Sequence, residues 1–210
     1  MSKRDAMLAL CGELFSKFLE AHDFSIIQEA LNTLAADDRT AVLMYLFWQG
    51  LEYRYWDLAE ACIVAGYSLS PGESAGFGPL HDALWRLEDR PDVIAWLLDR
   101  GADIERRGIN NETPLITAAH KAPIETIRLL VDAGANIDAS TQVDEDWTAL
   151  MTAARVGNIE AVRVLLECGA DYTHQDRYFG RVAAQIAAAH GHSEIAALIQ
   201  LAETNKLRSK

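Results

Sequence analysis

Four glycines, Gly66, Gly101, Gly134 and Gly169, recur at intervals of 35, 33 and 35 residues, and the last three lie in nearly identical surroundings. These read Leu97-Leu98-Asp99-Arg100-Gly101-Ala102-Asp103, Leu130-Val131-Asp132-Ala133-Gly134-Ala135-Asn136 and Leu165-Leu166-Glu167-Cys168-Gly169-Ala170-Asp171. No other feature constrains the fold as much. A unit of this length cannot bury its own apolar face and must stack on neighbouring units. Each copy reads as a helix end: glycine takes the left-handed conformation that lets the terminal carbonyls be satisfied, where a Cβ would cost about 1 kcal/mol.

Upstream of each end a second helix has its own start signal. In Thr113-Pro114-Leu115-Ile116-Thr117-Ala118-Ala119 and Thr148-Ala149-Leu150-Met151-Thr152-Ala153-Ala154 the threonine is placed to N-cap. Pro114 takes the first helical position, where its missing N–H costs nothing. Gly78-Pro79-Leu80-His81-Asp82-Ala83 is a weaker copy, and Val182-Ala183-Ala184-Gln185-Ile186-Ala187 weaker still. Tight turns at Gly157-Asn158-Ile159-Glu160 and Gly191-His192-Ser193-Glu194 lead into the second helices.

This pattern resembles the ankyrin repeat, with its T-P-L-H-x-A opening, G-H-x-E turn and L-L-x-x-G-A-D close. The resemblance implies an all-α ankyrin-repeat solenoid of stacked helix-turn-helix units, four of them over residues 78–202. Residues 40–77 read as a degenerate first repeat and loop. Residues 1–39 read as an N-terminal helical cap of two helices, the second opening at Ser25 with Gln28 completing a capping box, and 203–210 as a flexible polar tail. Two extra residues between Trp85 and Pro91, and two more between Gly134 and Thr148, belong at turns and hairpin tips, because stacked helices cannot absorb them. The histidine of T-P-L-H survives only as His81, while Asn111 and Gly180 hold the place of the turn glycine.

Composition narrows the partners. With 19 Lys+Arg against 31 Asp+Glu the net charge is −12, and half the residues are apolar, as in globular chains. The acid surplus repels a phosphate backbone and no basic stripe offsets it, so the partner expected is a basic protein and not a nucleic acid. Cys11, Cys62 and Cys168 lie too far apart for a disulfide framework or a zinc site, which points to a reducing compartment. Lys3 and Arg4 ahead of the apolar stretch Ala6–Cys11 imitate a secretion signal, but Met7, Leu10, Cys11, Leu14, Phe15 and Phe18 keep helical spacing and no cleavage site follows. The longest apolar run, Ala41–Trp48, is too short for a bilayer. The expectation is a cytoplasmic chain with no membrane partner, monomeric when unbound.

Several motifs imitate chemistry. Gly72-Glu73-Ser74-Ala75-Gly76 satisfies the G-x-S-x-G nucleophile elbow, which requires a strand, a sharp turn and a helix. Here Pro71 precedes it and Gly78-Pro79 follows within a helical pattern, so a serine hydrolase using Ser74 is the remote alternative. His190, His192 and Glu194 have ligand-like spacing but coincide with the repeat's own turn, and no metal, cofactor or catalytic residue is expected.

In proteins of this resemblance the hairpin tips and the exposed side of the first helices bind other proteins. The corresponding tips are 106–112, 142–147 and 175–181. They contribute Arg106, Arg107, Asp144, Glu145, Asp146, Trp147, Asp176, Arg177, Tyr178 and Arg181 as candidate partner-binding residues, and Trp85 joins them from a first helix. Trp147 stands beside three acids with no evident core to fill, and tryptophan is a favoured interface anchor. The acids would steer a basic partner. A small acidic chain with no appended effector domain resembles the immunity proteins of bacterial toxin systems, which occlude a toxin or effector; a generic scaffold or adaptor is the alternative.

Overall fold

The computed structural model describes residues 3–70, 78–87, 90–108, 110–142 and 145–208. Twelve α-helices form among them and no strand, and the chain divides into two compact units, Met1–Leu69 and Ser70–Lys210.

The first unit holds α1 (Lys3–Ala21), α2 (Ser25–Thr33), α3 (Ala36–Glu52) and α4 (Trp56–Val64). The apolar stripe of α1 turns Cys11, Leu14 and Phe18 inward, where they share a core with Ile27, Leu31, Leu46, Phe47 and Leu58. Gly50 lets α3 and α4 meet closely: a Cβ there would lie 2.9 Å from the Ala59 nitrogen and 3.1 Å from the Tyr55 carbonyl. The capping box expected at Ser25 does not form. Asp23 supplies the acceptors instead, Oδ1 taking the Ser25 N–H at 2.8 Å and Oδ2 its hydroxyl at 2.7 Å, because a carboxylate two residues upstream is a stronger acceptor than a hydroxyl.

The second unit holds four helix pairs: α5 (Pro79–Arg86) with α6 (Pro91–Asp99), α7 (Pro114–Lys121) with α8 (Ile124–Asp132), α9 (Ala149–Val156) with α10 (Ile159–Glu167), and α11 (Ala183–Ala189) with α12 (Ser193–Arg208). First helices pack on first helices, α5 on α7, α7 on α9 and α9 on α11; second helices pack likewise, α6 on α8, α8 on α10 and α10 on α12. Ala118, Ala119, Ala153, Ala154 and Ala187 are buried at the contacts of the first helices, small enough for close approach, with Leu115, Ile127, Leu130, Leu150, Val162 and Leu165 filling the layers.

The expected starts and stops are present. Thr113 Oγ1 accepts the Ile116 N–H at 3.4 Å and Thr148 Oγ1 that of Met151 at 3.3 Å, while Pro79 and Pro114 occupy first turns. Gly66, Gly101, Gly134 and Gly169 all have positive φ, from 80 to 107°. Past the last three, the N–H groups of Ala102, Ala135 and Ala170 reach back to the carbonyls of Leu97, Leu130 and Leu165 at 2.9–3.0 Å, the six-to-one bond of a Schellman end. Helix α5 ends at Arg86 and α6 begins at Pro91, and residues 88–89 of the longer connection lie outside the described residues.

Candidate protein-binding surface

Three tips project from the second unit, each closed by its own backbone bonds. Gly108 N–H donates to the Glu112 carbonyl at 2.9 Å, Thr141 N–H to that of Trp147 at 2.9 Å and Asp176 N–H to that of Arg181 at 2.9 Å. Among the described residues, one per tip has left-handed backbone: Asn111 at φ 58°, Asp146 at φ 61° and Gly180 at φ 61°. Asn111 and Gly180 were legible as such; Asp146 is the third member, aspartate being among the few side chains that tolerate this region.

Much of the polar surface on these tips holds them to one another. Arg107 Nη1 donates to the Asn111 carbonyl at 2.9 Å, to Asn111 Oδ1 at 3.1 Å and, across to the next repeat, to the Ser140 carbonyl at 2.7 Å. Asn111 Oδ1 also accepts the Gln142 N–H at 2.8 Å. Asp146 accepts the Ser140 hydroxyl at 2.6 Å and lies 3.9 Å from Arg177, whose own N–H donates to the Glu145 carbonyl at 3.0 Å. Asp176 is 3% exposed and accepts from Phe179 N–H at 2.8 Å, Arg181 N–H at 3.2 Å and Arg181 Nε at 2.8 Å. Burial pushes its carboxyl up, but Arg181 and these donors outweigh burial and hold it below the usual carboxylate range. Glu105 and Asp138 each accept a backbone N–H of the following repeat, from Asn136 and Asp171, both at 2.7 Å. A share of the acid surplus is therefore structural.

The remaining candidates differ in exposure. Tyr178 and Phe179 are 64% and 69% exposed, with the Arg181 guanidinium 4.4 Å from the Phe179 ring centre. Trp85 is 43% exposed on α5, with Lys121 Nζ 5.2 Å from its ring centre and the His120 ring beside it. Arg106 packs its side chain against Gly78. Trp147 is half-buried, the Arg155 guanidinium 5.0 Å above its ring. An open cavity of about 430 Å³ lies among the tips, lined by Asn110, Glu112, Thr141, Glu145, Trp147, Thr152, Arg155 and Tyr178. Trp147, Glu145 and Tyr178 thus come together, while Trp85 and Arg181 do not line this cavity. Asp144 and the Ser74 motif lie outside the described residues.

Sequence reasoning missed Arg155. Its signal was the register: Trp85, His120 and Arg155 occupy the same first-helix position at intervals of 35 residues. It also missed Glu112 as a hub. The Glu112 carboxylate meets His120 Nε2 at 3.3 Å and accepts the Thr117 hydroxyl at 3.3 Å, and its carbonyl accepts from His81 Nε2 at 2.9 Å. Burial raises this carboxyl, yet the bonds from His120 and Thr117 prevail and hold it low.

Residues 80–176 match the family model described as ankyrin repeats, in three copies. Residues 80–176 are ankyrin repeats. A curated relative, the ankyrin repeat and KH domain-containing protein mask of Drosophila melanogaster, is 42% identical over 53 residues, 25% of this chain and 1% of that protein. The α11–α12 pair, beyond the matched residues, continues the ankyrin stack through its contacts with α9 and α10. Where the ankyrin opening lacks its histidine, histidines from other positions tie neighbouring repeats: His174 Nε2 donates to the Asp146 carbonyl at 3.1 Å and His192 Nε2 to that of Arg155 at 3.1 Å. His190 Nδ1 likewise binds the Ile186 carbonyl at 2.9 Å, so both histidines of the ligand-like trio are engaged with backbone. Among the described residues, no helix is long and apolar enough to cross a membrane.

Proposed function

We propose that this chain is a non-catalytic, cytoplasmic protein-binding module whose tips and first helices engage a basic protein and occlude its working surface, in the manner of an immunity protein that neutralises a toxin. Ankyrin repeats are protein-interaction modules, and one observation carries the reading to this face: the tips gather an open cavity and exposed aromatic rings on a scaffold fixed by repeat-to-repeat hydrogen bonds. Rigid aromatic anchors bind at low entropic cost. The charge of −12 supports the choice of a basic partner, since long-range attraction raises the encounter rate and makes it salt-sensitive.

Affinity purification from the native cell, with mass-spectrometric identification, tests the reading. It should recover one basic protein at low salt, lost with Trp147→Ala and with combined neutralisation of Asp144, Glu145 and Asp146. Addition of the chain at equimolar ratio should then abolish that protein's own activity. Binding that leaves the activity intact would favour a scaffold or adaptor, and capture indifferent to both variants would remove the assignment of the face.

A further inference from the structure

The cavity among the tips has an unusual electrostatic makeup for so acidic a chain. Arg155 is half-buried in its lining, and its guanidinium makes no hydrogen bond or ion pair among the described residues; its one neighbour of note is the Trp147 ring. Arg155 Nε is enclosed with no acceptor, and so is the Trp147 indole Nε1. Both groups are donors only, and both belong to the stacked pair that forms the cavity wall. An enclosed donor left without an acceptor is costly, and for a charged group the cost is larger.

Among the described residues, no carboxylate meets this demand. Glu112 is engaged by His120 and Thr117. Glu145, the other acid in the lining, lies beyond ion-pair distance of Arg155. The C-terminal end of α9, where Arg155 sits, offers only the partial negative charge of a helix terminus. What remains is a cation that, together with the Trp147 ring, lines a space large enough for a side chain.

We propose that this cavity accepts a carboxylate side chain of the protein partner, with the Arg155 guanidinium as its counter-charge and the Trp147 ring as its neighbouring wall. The inference rests on the protein-binding reading and names the chemistry of its anchor. It fits a basic partner: the chain's overall field draws in the partner's positive surface, and one carboxylate within that surface fixes the register, with Glu145 facing the flanking basic residues. Electrostatic complementarity of this kind sets specificity more than raw affinity.

Two small probes test it by NMR on the full chain: N-acetyl-glutamate amide, with one side-chain carboxylate, and its neutral isostere N-acetyl-glutamine amide. The glutamate derivative should shift the Arg155 Nε–H and Trp147 Nε1–H resonances saturably, at about millimolar concentration given so few contacting atoms. The glutamine derivative should bind about tenfold more weakly, because a neutral acceptor makes a weaker bond to a guanidinium. Arg155→Gln should abolish the difference and Arg155→Lys should retain part of it; circular dichroism checks that each variant folds, and if Arg155→Gln does not, the wild-type comparison of the two probes decides. Equal shifts with both probes, or shifts surviving in folded Arg155→Gln, would overturn the proposal. If the glutamate derivative does not bind while Trp147→Ala still abolishes partner capture, the anchor is wrong and the protein-binding reading stands. If it binds at Arg155 and no captured protein depends on the tips, the cavity chemistry stands and that reading falls.

Discussion

Gly157, at the turn between α9 and α10, is held in place from two directions. Its φ is +82°, where a Cβ costs about 1 kcal/mol. A Cβ there would also lie 2.5 Å from His192 Cε1 and 2.9 Å from Nδ1, in the ring that donates from Nε2 to the Arg155 carbonyl. Moving that ring gives up a hydrogen bond of about 1 kcal/mol and brings an overpacking cost of about 1–3 kcal/mol. Gly157→Ala should therefore destabilise by about 3–5 kcal/mol. In a His192→Ala background the clash and the bond are already gone, and the same substitution should cost only the conformational term of about 1 kcal/mol. Urea unfolding followed by circular dichroism gives all four corners of the cycle, and the expected coupling between the two sites is about 2–4 kcal/mol. If Gly157→Ala costs as much without His192 as with it, the contact between the third and fourth repeats is not what holds this turn.

Acid should weaken the second unit in two stages. Burial lowers the His81 imidazole, so its contribution is present above its unfolded value of about 6.5 and lost as pH falls below it. Asp176 and Glu112 are held below their unfolded values of about 4, so their contributions are present above that pH and lost as pH falls through the depressed folded values. Asp176→Asn should flatten the lower limb of a stability-against-pH curve, and an unchanged limb would mean the tip does not depend on that carboxylate. Arg107→Ala removes the Nη1 donor that joins Asn111 to the Ser140 carbonyl and should cost about 1–3 kcal/mol in thermal unfolding, with amides of 108–112 and 140–142 exchanging faster. An unchanged melting temperature would show that the tips stand independently.

Local signals that repeat were readable without coordinates. Threonine caps, first-turn prolines and C-terminal glycines each act within a few residues, so Thr113, Thr148, Pro114 and Gly134 announced their helices directly. Ser25 misled because two acceptors competed for one helix start, and the carboxylate of Asp23 prevailed. Asn111 and Gly180 marked two of the turns in the tips, but the engagement of the tips' side chains was not legible. The bonds from Arg107 to Ser140 and from Asn136 to Glu105 join residues 33 and 31 apart, and depend on how one repeat stacks on the next. Arg155 escaped notice because a lone arginine at a helix end reads as a solvated charge. Its significance comes from Trp147, brought against it by the same stacking.

The proposed function requires the tips and first helices to be the face that meets the partner. Hydrogen–deuterium exchange of the chain, alone and with its co-purified partner, tests this most directly. The prediction is slowed exchange across 106–112, 141–147 and 175–181 and at the exposed ends of α7 and α9, with α8 and α10 unchanged. Protection confined to α8, α10 and α12, with the tips exchanging as in the free chain, would contradict it.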